Sequence, residues 1–532
     1  MRKTAITFLL MLAAAASYAQ SAYDGLLFSE NNYEGTARSV AMGNAFTALG
    51  GDLGSITINP AGSAVAGYSQ FTITPGLTFT ASTAQGVSPF TDGSLPYFER
   101  KMKSSMTSFS LPNMGLTINW DTNRNSGLKN ITFGFVANKT ASFDQDVYAN
   151  GLNATTTFMG AMAVDAFGLP ASGLSASDAY DRYAWNTVMG YQSGMISTFG
   201  GSNDEYVGAS ELVFDNGDIV LGGEIDQTYG RKVTGGKYDY VFNFGANVSD
   251  FLYLGANLGF TSLDYGYDEY FKETAIDPAD FEIALDNGKN MYFSQMKYRY
   301  WYGVEASGIY AKIGAILTPG YGLRIGAAIQ TPVTNTIVER WQYSGSTEFT
   351  EPEYDGYAYS PEGEYRYVFN SPMRANLGIA YTFGNFAVVS ADYEFCDYGQ
   401  MKFMEDHGGS DDYFDDVNNS IKEIFGVQNI WRFGAEAKLG SLAIRGGYGF
   451  STSPEKHFEG PYRSNFSFGL GYSSKGSFFA DFAVRKNIYN DEYYMPYSDY
   501  IMDDSGNILE PVPEILITRS DWKVLMTIGW RF

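Results

Sequence analysis

The chain has 532 residues and is rich in Tyr (41), Phe (39) and Gly (60), yet its average hydropathy is slightly polar. Lys and Arg number 35 against 59 Asp and Glu, an acidic balance that argues against nucleic acid as a partner. After the first residues no stretch approaches the roughly twenty consecutive apolar residues a membrane-spanning helix needs.

The chain opens on a secretory signal. Arg2 and Lys3 are basic, residues 4–16 are almost wholly apolar, and Ser17-Tyr18-Ala19 offers small residues where a signal peptidase reads them. Residues 1–19 are therefore expected to be removed, which leaves Gln20 first and no cysteine to be lipidated. Loss of Arg2 and Lys3 takes the charge from −24 to about −26. Residues 20–67 follow no strand pattern. They are rich in small residues (Gly35, Gly43, Gly50, Gly51, Gly54 and Gly62) and carry Val40, Phe46, Leu49, Ile56 and Ile58. A free linker would be more polar, so this segment is expected to fold back on the rest of the chain.

From residue 68 onward the pattern is alternation. Residues 522–532 carry Trp522, Val524, Met526, Ile528, Trp530 and Phe532 on one face, with Lys523, Thr527, Gly529 and Arg531 between them. The same period of two recurs over 428–438 and 463–473. Fourteen such segments can be counted: 68–80, 106–120, 129–142, 237–247, 251–266, 294–317, 321–333, 363–382, 386–399, 428–439, 441–451, 463–473, 477–488 and 519–532. Each is long enough for a tilted strand that crosses a bilayer, about 9–11 residues. Tight turns at 248–250, 319–320, 384–385, 440 and 474–476 alternate with long polar stretches, of which 143–236 is the longest. Short turns on one side and long loops on the other are the habit of outer-membrane barrels. The expected fold is thus all-β: a 14-stranded antiparallel transmembrane barrel over 68–532, with residues 20–67 as an N-terminal plug in its lumen. Its expected location is the bacterial outer membrane.

The run from Ala37 to Asp52 (ARSVAMGNAFTALGGD), followed by Ile58-Asn59-Pro60-Ala61-Gly62, resembles the plug of the FadL/TodX family of outer-membrane fatty acid and hydrocarbon transporters. Thr331-Pro332, Ser371-Pro372-Met373-Arg374, Ala391-Asp392-Tyr393-Glu394 and the terminal Phe532 extend the resemblance along the chain. It implies a plug that fills the lumen, an apolar ligand that enters from the outer surface, and release sideways beside a distorted third strand. That strand would be 129–142, where alternation breaks at Ala137-Asn138-Lys139-Thr140, and Asn138 and Lys139 become candidates for a lateral opening. A strand that simply ends near the surface would show the same break. Asn59, Pro60, Ala61 and Gly62 are the candidate gate, although Asn-Pro is also a plain turn signal.

Parity with the apolar face directs Arg324, Arg374, Arg432, Arg445, Arg485, Lys523 and Arg531 into the lumen, together with Asp392, Glu394, Glu436 and Asp481. Such charges can pair across strands and anchor the plug. Arg374, Arg324, Arg432 and Arg445 are alternatively candidates to bind a ligand carboxylate, because guanidinium offers two parallel donors. Apolar residues in 143–236, among them Phe158, Met162, Phe167 and Trp185, could form a capture surface or pack loop on loop. The lone Cys396 reads as a small tolerated side chain. Acidic runs such as Asp411–Asp416 lack the spacing of a calcium loop. With neither a nucleophile–base set nor a metal cluster in view, an enzyme is not expected, and neither is a cofactor. The leading expectation is passive transport of long-chain fatty acids or similar apolar molecules by a monomer bathed in outer-membrane lipid. The alternatives are an adhesion or binding barrel, and a haem-uptake receptor that would have to rely on His407 and His457.

Overall fold

The computed structural model describes residues 21–87, 97–214, 218–285, 288–406, 411–458, 460–474, 477–503 and 505–532. The signal at 1–19 lies outside the described residues, as do His407 and part of the turn at 474–476. The chain forms a closed antiparallel barrel whose strands follow sequence order. They are β1 Gln70–Val87, β2 Met102–Asp121, β3 Leu128–Ser142 (continued by Gln145–Asn153), β4 Ile225–Val248, β5 Leu252–Ala275 and β6 Asn290–Gly320. Next come β7, made of Leu323–Gln330 and Thr334–Phe349, and β8, made of Gly363–Asn370 and Arg374–Phe383. The rest are β9 Ala387–Asp397 (continued by Lys402–Glu405), β10 Val427–Leu439, β11 Leu442–Thr452, β12 Pro461–Ser473, β13 Phe478–Tyr489 and β14 Glu514–Arg531. The ring closes where β1 pairs with β14, from Gln70↔Arg531 to Val87↔Glu514. All fourteen expected strands are present.

Their faces are inverted relative to a water-soluble sheet. On β10 the outward Trp431 and Phe433 are 40% and 41% exposed, while Arg432, Gly434 and Glu436 point inward and are buried. Phe242 and Phe244 on β4 and Phe466 and Phe468 on β12 repeat this outward apolar belt. An apolar exterior over a polar interior is the arrangement of a transmembrane barrel, where every backbone polar group is satisfied by the closed ladder. Among the described residues no helix is long and apolar enough to cross a membrane.

Several strands extend beyond their expected ends. β4 begins at Ile225 rather than 237, β5 runs on to Ala275, and their register is continuous from Leu252↔Val248 to Ala275↔Ile225. The cause is a reversal of polarity along one strand. Below residue 237 of β4 the outward positions are Asp226, Thr228 and Lys232, and the inward ones are Tyr229 and Val233, both buried. Above it, Tyr240, Phe242 and Phe244 face out, while Lys237, Asp239 and Asn243 face in. The strand thus leaves the apolar belt and continues into water, where the membrane pattern no longer applies. β7 likewise passes Thr331-Pro332 instead of ending there: the proline, which lacks an N–H, interrupts the ladder, and pairing with β6 resumes at Thr334↔Ile309. In the stretch 143–236 both ends are strand, and the middle carries α-helices such as Phe158–Ala166 and Trp185–Gln192. Met159, Met162, Val188, Met189, Met195 and Ile196 are buried there in one core, whereas Val164 and Phe167 are exposed.

Candidate functional site

Residues 21–66 run through the interior of the barrel and are almost entirely buried. Helix α1 (Ala22–Ser29) starts with a reciprocal cap in which Asp24 N–H donates to Ser21 and Ser21 N–H donates to the Asp24 carboxylate. Helix α2 (Ala37–Ala41) is capped by Thr36, and the 3-10 turn Leu53–Thr57 is capped by Asp52. Turns at 42–44 and 47–49 lie between α2 and the 3-10 turn, and Gly43, Asn44, Gly50 and Gly51 have positive φ. Only a barrel wall without side chains can admit this chain. A Cβ added at Gly255 would lie 2.3 Å from Ala61 N and Pro60 C; at Gly326, 2.0 Å from Thr47 O; at Gly434, 2.5 Å from Met42 O; and at Gly447, 2.1 Å from Gly43 N. Gly255 pairs with Gly314, and Gly434 with Gly447, so the bare positions stand side by side on neighbouring strands.

The Asn59-Pro60 corner is seated on β4, β5, β6 and β7. Asn59 Nδ2 donates to Thr47 O at 2.7 Å and to Ala315 O at 3.2 Å, while its Oδ1 accepts from Ala61 N–H at 3.1 Å. Pro60 O accepts from Asn243 Nδ2 at 3.0 Å. Ala61 and Gly62 are buried beside it. Asn59 therefore bonds to the segment and to the wall at once.

The inward basic residues are taken up in the same way. Arg374 donates to Glu394 at 2.7 Å and to Ser29 O. Arg432 donates to the other oxygen of Glu394 at 2.5 Å, and its guanidinium lies over the Tyr33 ring. Arg445 bridges Glu436 and Asp481, both at 2.6 Å, and Arg38 of the segment joins the same Glu436 at 2.9 Å. Arg324 donates to Leu49 O at 2.7 Å. Arg485 donates to Tyr33 O, and Lys523 pairs with Glu34. Lys237 and Lys312, which sequence parity did not single out, donate to Phe28 O and Thr57 O. The four arginines proposed for ligand contact are thus bound to carboxylates or to the N-terminal segment.

The candidate lateral residues lie where two strands part. β2 and β3 pair only from Asn113↔Asn138 to Asp121↔Asn130, and among the described residues no ladder joins β3 to β2 beyond Asn138. There β3 is bulged between Lys139 and Ala141. Its free edge is taken by the N-terminal segment: Asn32 N–H donates to Thr140 O at 2.6 Å and Glu34 N–H to Lys139 O at 2.9 Å. Asn138 Nδ2 donates to Thr57 Oγ1 at 3.0 Å and its Oδ1 accepts from Asn113 at 2.6 Å.

Above α1 the inner wall is aromatic. Tyr265 and Tyr267 of β5, Tyr300 of β6, Trp341 of β7 and Tyr365 of β8 point inward and are partly exposed. Tyr300 stands 4.7 Å from Tyr343 between ring centroids, and Glu269 accepts from Tyr229 at 2.8 Å and Tyr494 at 2.9 Å. Sequence reasoning set Tyr265, Tyr300 and Tyr365 on expected strands but left Tyr267 and Trp341 in stretches read as polar loops, so it did not assemble this wall. His457 is exposed. Cys396 is buried and free in β9. No group of three His, Cys, Asp or Glu able to hold a metal occurs among the described residues.

No family model matches the sequence, and no curated protein does. Solved structures do. The toluene transporter TodX of P. putida is 12% identical with a TM-score of 0.51, over 95% of this chain and 99% of its own. A FadL homologue of Pseudomonas aeruginosa is 12% identical with a TM-score of 0.50, over 94% of this chain and 99% of its own. At such identity the likeness is one of fold. In fold the chain is a 14-stranded outer-membrane barrel of the FadL type.

Proposed function

We propose that this protein is a passive transporter of apolar small molecules, long-chain fatty acids or similar compounds, in the bacterial outer membrane. Residues 20–67 act as its plug, and it works as a single chain without a cofactor. One observation carries the reading: where β3 leaves β2, just beyond Asn138, its edge at Lys139 and Thr140 is hydrogen-bonded by the backbone of Asn32–Glu34, which belongs to the segment filling the lumen. A shift of that segment would open the wall toward lipid. The ligand would pass from the outer loops to the aromatic inner wall, then beside the Asn59-Pro60 corner, and leave between β2 and β3 near Asn138 and Lys139. Partition of an apolar molecule from water into lipid, about 0.8 kcal/mol for each CH₂ buried, supplies the driving force. The solved barrels of this fold include one described as a toluene transporter, which supports an apolar cargo of some kind.

The test is mass spectrometry of lipids retained by the purified full-length protein, with uptake of a long-chain fatty acid by vesicles that contain it. Retained apolar ligand and saturable uptake with little ion conductance are expected. Recovery of no apolar ligand together with steady ion conductance would make the protein a general pore instead.

A further inference from the structure

A cavity of about 40 Å³ lies between the N-terminal segment and strands β10–β13. Its lining is polar, and three arginines contribute to it: Arg432, Arg463 and Arg485. Each of them has a buried nitrogen without a hydrogen-bond partner, namely Arg432 Nη1, Arg463 Nε and Arg485 Nε. The side-chain oxygens of Asn44 and Asn465, which line the same cavity, are also buried and unpartnered. Buried polar groups are nearly always satisfied, and these five unpartnered atoms belong to residues that line one space.

The charges fix its sign. Arg432 shares Glu394 with Arg374, so two guanidinium groups face one carboxylate. Arg463 is balanced by Glu30 at 2.8 Å. Arg485, 1% exposed, donates to the Tyr33 carbonyl and the Asn32 amide oxygen, neither of which is charged. The lining therefore holds positive charge in excess. Three guanidinium donors favour an oxyanion, and two amide acceptors favour a hydroxyl on it. We infer that this cavity is a binding site for a small hydroxylated oxyanion, hydrogen phosphate being the simplest, either free or as the head group of a longer molecule. The site stands apart from the aromatic wall and does not depend on the transport reading.

The probe is the full-length protein in detergent, titrated by calorimetry with inorganic phosphate, with sulfate, with a long-chain alkyl phosphate and with chloride at matched ionic strength. Saturable binding of phosphate or of the alkyl phosphate is expected, with sulfate and chloride clearly weaker. Phosphate alone would identify a free anion as the source, and the alkyl ester alone a lipid head group. Arg485→Gln should weaken binding by about tenfold or more, the loss of one charged hydrogen-bonding group, and Arg340→Gln, on the outer surface, should leave it unchanged. Asn465→Ala, at a half-buried position, guards against misfolding of the arginine variant and should also weaken binding. The inference is overturned if neither phosphate binds, if sulfate binds equally well, or if both lining variants titrate like the parent. Retention of apolar lipid, measured on the same samples, reports separately on transport.

Discussion

At Gly255 the Cα has less than a methyl group's room between the strand and the chain it encloses. Pro60 and Ala61 occupy the place a side chain would take, and the same is true of Thr47 at Gly326 and Gly43 at Gly447. Glycine in a strand interior normally weakens it; here it lets two backbones approach closely enough for Asn59 to bond to both. Gly255→Val is therefore expected to cost about 1–3 kcal/mol or more through overpacking and to loosen residues 45–66. Gly446→Ala is the contrast, since its Cβ would meet only Ser467 O at 4.0 Å, and a change within about 0.5 kcal/mol is expected. Urea unfolding and limited proteolysis of both variants check this. Equal behaviour of the two would mean that the segment does not sit against β5 as described.

At the scale of elements, alternation made the fourteen strands legible, because a lipid-facing side chain is apolar and its neighbour is not. The same rule hid the outer halves of β4 and β5, while the expected 294–317 already covered nearly all of β6. In those halves Tyr229 and Tyr267 face the interior while Asp226 and Asp268 face water, so apolar and polar exchange sides within one strand. The proline interruption of β7 was invisible for another reason: sequence shows the lost N–H but not that β6 holds the strand on both sides of it. The inward arginines were placed on the correct face by parity, yet parity cannot say that Arg374 meets Ser29 O, a contact between residues 345 positions apart. The outer cap adds a titratable element. Glu211 is buried there, and burial pushes its carboxyl up to about 7, only partly offset by the Gly208 N–H and the Tyr500 hydroxyl. A folded-state pKa raised above the ordinary 4.5 contributes stability that is fully present below 4.5 and is lost as pH rises through about 7. Hydrogen-exchange protection factors in 154–214, rates taken relative to the unstructured chain at the same pH, should thus be higher at pH 5 than at pH 8, and Glu211→Gln should reduce that difference. A parent cap equally protected at both pH values would contradict the buried carboxyl.

For the molecule as a whole, the decisive property is which face meets which medium. Phe433 stands in the outward belt on β10, 41% exposed, whereas Tyr359, 74% exposed, lies on the strand Gly356–Tyr359 that extends the long connection between β7 and β8. In a water-soluble barrel a charge at either place would be welcome, and more so at Phe433, where it would relieve exposed apolar surface. In a bilayer the two sites differ in kind. Arg at mid-depth on the lipid face costs about 2–4 kcal/mol, and near the interface about 0–1. Phe433→Arg is therefore expected to destabilise the protein folded into lipid vesicles by that larger amount, and Tyr359→Arg by little. Denaturant unfolding from vesicles measures both. A small effect at both positions would place Phe433 outside the hydrocarbon, and the inverted faces of the barrel would then need another explanation than lipid.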